Sequence, residues 1–266
     1  MTADSSPLDR PEVLAGLFHP RAGYRPSGQI SEGDLRIPLA DGAVIGGRGY
    51  LADPAGTTLL FFHGNGEIAE DYDDLGPVYA RSRINFLVVD YRGYGQSTGW
   101  PTASTMLADS RPVLDFVTGW LKRQGHTGPL VVMGRSLGSA PALELACHHP
   151  EAIAGLILES AFAHTGPLLR RLGVNLAALK FEERQGFGQL DKMRTVTRPT
   201  LIIHAEHDHI IPFADGQALY DASPAQDKRL VKIPGADHNT IFAVGWRLYL
   251  EAVQTFVGRL QAGATV

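Results

Sequence analysis

The rhythm of hydrophobic and polar residues changes near residue 58. Before it, Leu35, Ile37 and Leu39 alternate with polar neighbours, Asp41-Gly42 follows, and a second strand-like segment spans 44–51. Alternation with a period of two around an Asp-Gly turn predicts an antiparallel hairpin at a sheet edge. After it the apolar runs lose their alternation, as strands covered on both faces do. Six such strands are predicted, at 58–62, 84–89, 130–133, 153–158, 201–204 and 230–233. Helix-length segments lie between and after them, at 70–81, 103–122, 137–148, 214–222 and 240–260. This alternation predicts an α/β fold with a mostly parallel, doubly wound sheet.

Two stretches break the pattern. Residues 1–30 are rich in Pro, Gly, Ser and Arg and read as an irregular N-terminal arm. Residues 161–198 carry a helix-like segment at 168–180, glycines at 186 and 188, and Pro199, where the strand rhythm restarts. They read as a short helical cap inserted into a single domain that covers 31–266. Leu168, Leu169, Leu172, Leu176, Leu179 and Phe181 give that cap an apolar face, which can pack on the core or line an acyl pocket.

Composition narrows the classes of function. With 266 residues, 44% hydrophobic and 20% charged, the chain can bury a sizeable core. Its formal charge of -4 and the lack of a Lys/Arg stripe argue against nucleic acid as a partner. The single cysteine, Cys147, excludes an internal disulfide framework. Nothing at the N-terminus resembles a secretory signal, so the expected location is cytoplasmic. No apolar run approaches the roughly 20 residues of a membrane-spanning helix.

The candidate chemistry centres on 131–138, Val-Val-Met-Gly-Arg-Ser-Leu-Gly, where a predicted buried strand enters Gly-x-Ser-x-Gly and then an alanine-rich helix. That context suits a strained turn that lifts Ser136 clear of the backbone, with glycines where a Cβ would collide with a neighbouring element. Alone the motif is weak, and a helix-capping serine would satisfy it. A serine nucleophile also needs a base and a carboxylate to orient that base. His238 follows the strand at 230–233 and is the candidate base. Asp208 follows the strand at 201–204 and is the candidate acid, with Glu159, which also ends a strand, as its rival. The backbone N–H groups of Leu137 and Asn65 are the candidate oxyanion donors, with Gly66 as the fallback for the second.

The blocks His63-Gly64-Asn65-Gly66, Asp90-Tyr91-Arg92-Gly93-Tyr94-Gly95 and Gly134-Arg135-Ser136-Leu137-Gly138, in this order, resemble the serine-hydrolase branch of the α/β-hydrolase superfamily. The likeness covers about 35–260 and is greatest to small esterase, thioesterase and depalmitoylase-like members. It implies an eight-stranded-type sheet, and a structural role for the Asp-Tyr-Arg-Gly-Tyr-Gly loop beside the site. It also implies a small-molecule ester or thioester as substrate, cleaved through an acyl-enzyme without a cofactor. The alternatives are an amidase or peptidase of the same fold, or a binding protein that keeps the pocket without the chemistry.

The remaining chemistry-bearing residues have plainer readings. His204, His207 and His209 lack helical metal-ligand spacing and have no cysteine nearby, so no metal is expected. His63 is expected to orient the oxyanion turn by hydrogen bonding. Cys147 reads as packing, and Asp237, beside His238, as solvated.

Overall fold

The computed structural model describes residues 6–24 and 33–263. A 3-10 helix (Ser6–Asp9) and helix α1 (Pro11–Leu17) precede the hairpin of β1 (Asp34–Pro38) and β2 (Val44–Tyr50), in which Ile37 lies opposite Ile45. The chain continues through β3 (Thr58–Phe62), α2 (Gly76–Arg81), β4 (Asn85–Val89), α3 (Ala103–Arg123) and β5 (Leu130–Arg135). Then come α4 (Ser139–His148), β6 (Gly155–Glu159), α5 (Thr165–Arg171), α6 (Leu176–Leu179) and α7 (Gln189–Met193). The last elements are β7 (Thr200–Ala205), α8 (Phe213–Ala222), β8 (Lys228–Ile233) and α9 (Ile241–Gly263).

All eight strands join one sheet in the order β1-β2-β4-β3-β5-β6-β7-β8. β2 runs antiparallel to both its neighbours and the rest are parallel. This is the sheet of an α/β hydrolase, and each expected strand is present. The missing alternation in β3, β4 and β5 has its cause in the two cores. Leu60, Phe62, Leu87, Val89 and Val132 pack with Val113 and Leu114 of α3 and Leu143 of α4. Leu59, Phe61, Phe86, Val88, Val131 and Met133 face Tyr79 of α2 and Tyr249, Val253 and Phe256 of α9. Both faces of these strands are covered, so apolar residues follow one another without alternation.

The structure corrects the expected pattern in three places. The stretch expected as an irregular arm contains α1, in its described part. Pro11 at the first turn lacks only an N–H that would have no partner there, and Val13 and Leu17, four apart, are buried. The segment at 70–81 is not one helix but a 3-10 helix (Ala69–Tyr72) followed by α2. Pro77 cannot continue a helix and instead starts one. The expected helix at 168–180 is divided into α5 and α6, because Gly173 at φ 85 turns the chain left-handed after α5. Among the described residues, no helix is long and apolar enough to cross a membrane.

Between β5 and α4 the chain turns within a few residues. A Cβ on Gly138 would stand 2.0 Å from the carbonyl oxygen of Phe62 on β3, and one on Gly134 would stand 2.2 Å from the carbonyl oxygen of Gly138. Backbone lies in the way at both positions, so no side-chain rotation relieves the overlap. Gly138→Ala is therefore expected to cost about 3 kcal/mol of stability, read from the urea midpoint. A loss below about 0.5 kcal/mol would show that the turn has room to spare.

Candidate active site

Ser136 caps β5 with φ 52, a left-handed conformation that side chains rarely adopt and that the glycine contacts on either side hold in place. Asp208 lies three residues beyond β7, and His238 in the loop between β8 and α9. The three meet at one edge of the sheet. His238 Nε2 lies 3.0 Å from Ser136 Oγ, and His238 Nδ1 lies 2.7 Å from Asp208 Oδ2. All three are buried. With Nδ1–H donated to the carboxylate, the lone pair of Nε2 faces the serine hydroxyl. An imidazole so placed can take the hydroxyl proton and return it.

Asp208 Oδ1 also accepts the N–H groups of Ile210 (3.0 Å) and Ile211 (2.7 Å). Burial opposes its charge, but the hydrogen bond and charge of His238 and the Ile211 amide outweigh burial and hold the carboxyl below its ordinary range. Glu159, its rival, hydrogen-bonds instead to the Tyr249 hydroxyl (2.6 Å) and lies 3.5 Å from Arg135 Nη1. Asp237 is not simply solvated. Its Oδ1 accepts the N–H groups of Asn239 and Thr240 and the Thr240 hydroxyl, each at 2.9 Å, and so fixes the loop that carries His238.

The turn at 63–66 faces the serine. The Gly64 N–H is donated to Glu67 Oε2 (2.6 Å), whereas the Asn65 N–H has no acceptor among the described residues. Asn65, Leu137 and Ser136 share a pocket of about 150 Å³, also lined by Leu17, Leu168, Leu172 and Ile210. Gly66 is not among its lining residues. His63 is fully buried. Its Nδ1 pairs with the Gly64 carbonyl (2.8 Å), its own carbonyl accepts the Tyr91 hydroxyl (2.6 Å), and the Tyr94 hydroxyl donates to Asn65 Oδ1 (2.9 Å). The aromatic residues of the Asp90–Gly95 loop thus hold the turn from behind. Cys147 is half-buried, with Sγ 3.1 Å from Thr195 Oγ1. Among the described residues no group of three or more His, Cys, Asp and Glu could hold a metal ion.

One group escaped the sequence reading. Arg135, between the first glycine and Ser136, is buried and reaches three loops. Its Nε pairs with Glu67 Oε1 (2.9 Å), its Nη2 donates to the His238 carbonyl (3.0 Å), and its Nη1 faces Glu159. Glu67 in turn accepts the Gly64 N–H and the Tyr72 hydroxyl (2.6 Å). Burial works against ionised Glu67, but Arg135 leads the interactions that keep its carboxyl below the ordinary range. For Glu159 burial prevails over Arg135, and its carboxyl is pushed up. One guanidinium thereby joins the elbow, the His238 loop and the turn at 63–66. An arginine after a glycine gives no sign of partners 68 residues before it or 103 after it.

The comparisons with known proteins agree with this architecture. A family model described as serine aminopeptidase, S33, matches residues 53–185 and 188–243. The human alpha/beta hydrolase domain-containing protein 17B is 32% identical over 214 residues, which cover 76% of this chain and 66% of that protein. The chain spans less than two thirds of the length of this and other such relatives. A Pyrococcus furiosus esterase superposes with a TM-score of 0.71 at 17% identity, covering 91% of this chain and all of its own. A soluble variant of the Saccharomyces cerevisiae monoglyceride lipase, solved with a substrate analogue, gives 0.67 at 20% identity, covering 90% and 99%. The chain belongs to the α/β-hydrolase superfamily, and within it to the family of that S33 model.

Two measurements follow from this geometry. Arg135→Met leaves Glu67 and Glu159 without their cation and is expected to cost about 3–5 kcal/mol in urea denaturation; a cost under about 1 kcal/mol would mean the carboxylates find other partners. Because the Asp208 carboxyl is held low, its share of the stability is present above the ordinary carboxylate range and is lost as the pH falls through the lowered value. Stability measured from pH 7 to about pH 3 should therefore fall less steeply for Asp208→Asn than for the parent. Equal slopes would rule out that linkage.

Proposed function

We propose that the protein hydrolyses a carboxylic ester or thioester through an acyl-enzyme formed on Ser136. The observation that carries this reading is His238, hydrogen-bonded at once to Ser136 Oγ and to Asp208. Ser136 Oγ attacks the carbonyl carbon while His238 Nε2 takes its proton. The oxyanion is held by the Leu137 and Asn65 N–H groups. As the tetrahedral intermediate collapses, His238 gives the proton to the departing alkoxide or thiolate. Water then attacks the acyl-serine, His238 takes its proton, and the free acid leaves as Ser136 regains its hydrogen. Asp208 holds the tautomer and stabilises the imidazolium.

The S33 description favours a second reading, cleavage of an aminoacyl amide. An aminopeptidase needs an anion for the substrate's α-amino group. The carboxylate nearest the pocket, Glu67, already serves Arg135, Gly64 and Tyr72. The aliphatic part of the lining, Leu17, Leu168, Leu172 and Ile210, and the esterase and lipase neighbours support the ester instead.

The test is turnover of p-nitrophenyl esters, acyl thioesters and aminoacyl p-nitroanilides, with fluorophosphonate labelling. Ser136→Ala is expected to abolish labelling and lower kcat about 10⁶-fold, and Asp208→Asn to lower it about 10⁴-fold. Undiminished turnover in folded Ser136→Ala would end the proposal, and dominant anilide turnover would transfer it to the second reading.

A further inference from the structure

The pocket beside Ser136 has a wall from outside the segment matched by the family model. Leu17, the last residue of α1, lines it together with Leu168 and Leu172 of the cap and Ile210 of the loop after β7. Leu17 is 1% exposed. The segment that carries it is fastened at both ends. Before α1, Arg10 Nη1 donates to the carbonyl of Leu179 on α6 (2.9 Å). After it, the His19 N–H donates to Asn65 Oδ1 (2.9 Å) and to the Tyr94 hydroxyl (2.7 Å), and Asn65 Nδ2 pairs with His19 Nδ1 (2.8 Å). Further on, Gly23 and Gly95 link by Gly23 N–H to the Gly95 carbonyl (3.1 Å), and Gly95 N–H reaches the Arg21 carbonyl (2.9 Å). Along α1 itself a Cβ on Gly16 would meet Val174 Cγ2 at 3.2 Å, so the helix lies close against the α5–α6 link.

We infer that this N-terminal segment closes the acyl side of the site and restricts the substrate to short acyl groups, with Leu17 the residue that sets the limit. The inference rests on the hydrolase reading above. Four aliphatic side chains give an acyl chain an apolar surface and offer it no hydrogen bond. The space is about 150 Å³ and is shared with Ser136, Glu67, Arg135 and His238, so the roughly six carbons that an enclosed apolar cavity of that size holds set an upper bound on the acyl chain it accommodates. A longer chain has to displace Leu17, which the clamps at Arg10 and His19 oppose. Asn65 ties the pocket to the segment: it lines the pocket, and its side chain holds His19, just beyond the wall.

The experiment measures kcat/KM of the full chain on p-nitrophenyl acetate, butyrate, hexanoate, octanoate and decanoate, so that only the acyl group varies. The parent is expected to be fastest on butyrate or hexanoate and at least about tenfold slower on decanoate. Leu17→Ala should raise decanoate relative to butyrate by about tenfold, and Leu17→Trp should move the optimum to acetate. Leu172→Trp, at a half-buried cap position that packs beside Gly16, should also favour acetate and serves if the Leu17 variants fail to fold. A flat profile in the parent, an optimum at decanoate, or natively melting variants with the parent's profile would each overturn the inference while leaving the hydrolase reading intact. Absence of turnover on every ester together with absence of fluorophosphonate labelling would overturn both.

Discussion

The contact on which the site depends is between the backbone of the turn after β5 and the carbonyl of Phe62 on the neighbouring strand. With only hydrogen on Gly134 and Gly138, α4 starts within three residues of the strand end. Ser136 is then left at a positive φ that no helix or strand would give it. Everything else in the site is arranged around that fixed point. The same approach that allows the turn brings the 63–66 segment, which directly follows β3, into one pocket with the serine.

Position alone would leave the loops free to drift, and the electrostatics beneath them limit that freedom. Arg135 is expensive to bury by itself, but between Glu67 and Glu159 it becomes a buried cross-link. The two carboxylates respond in opposite senses, one held low and the other pushed up, because burial outweighs the guanidinium only for Glu159. A comparable division runs through the His238 loop, where Asp208 binds the ring and Asp237 the backbone.

Much of this was legible in the chain. Strands buried on both faces write themselves as apolar runs, so β3 to β7 stand out, whereas β8, expected as another such run, has exposed Lys232 between buried Val231 and Ile233. The residues that follow their ends then named Ser136, Asp208 and His238. Asp208 is the preferred acid in the sequence because it follows the penultimate strand, and Glu159 is its rival because it ends one. In the structure β8 lies next to β7 and β6 one strand further away, and it is Asp208 that pairs with His238. The break at Pro77 is readable, because a proline starts a helix more readily than it continues one. Helix α1 hid in a segment whose Pro and Ser content outweighed the spacing of Val13 and Leu17. The Arg135 cluster had no signal, because pairing among residues 67, 135, 159 and 238 exists only once the sheet has formed.

The positions of the three site residues along the chain bear on the life of the protein before it is complete. Synthesis proceeds from the N-terminus, and Ser136 emerges about a hundred residues ahead of His238. Until strand β8 has docked on β7, the loop after β8 cannot hold His238 beside Ser136. Each of the three residues comes from a different stretch of the chain, so the group is assembled only as β8 is put in place.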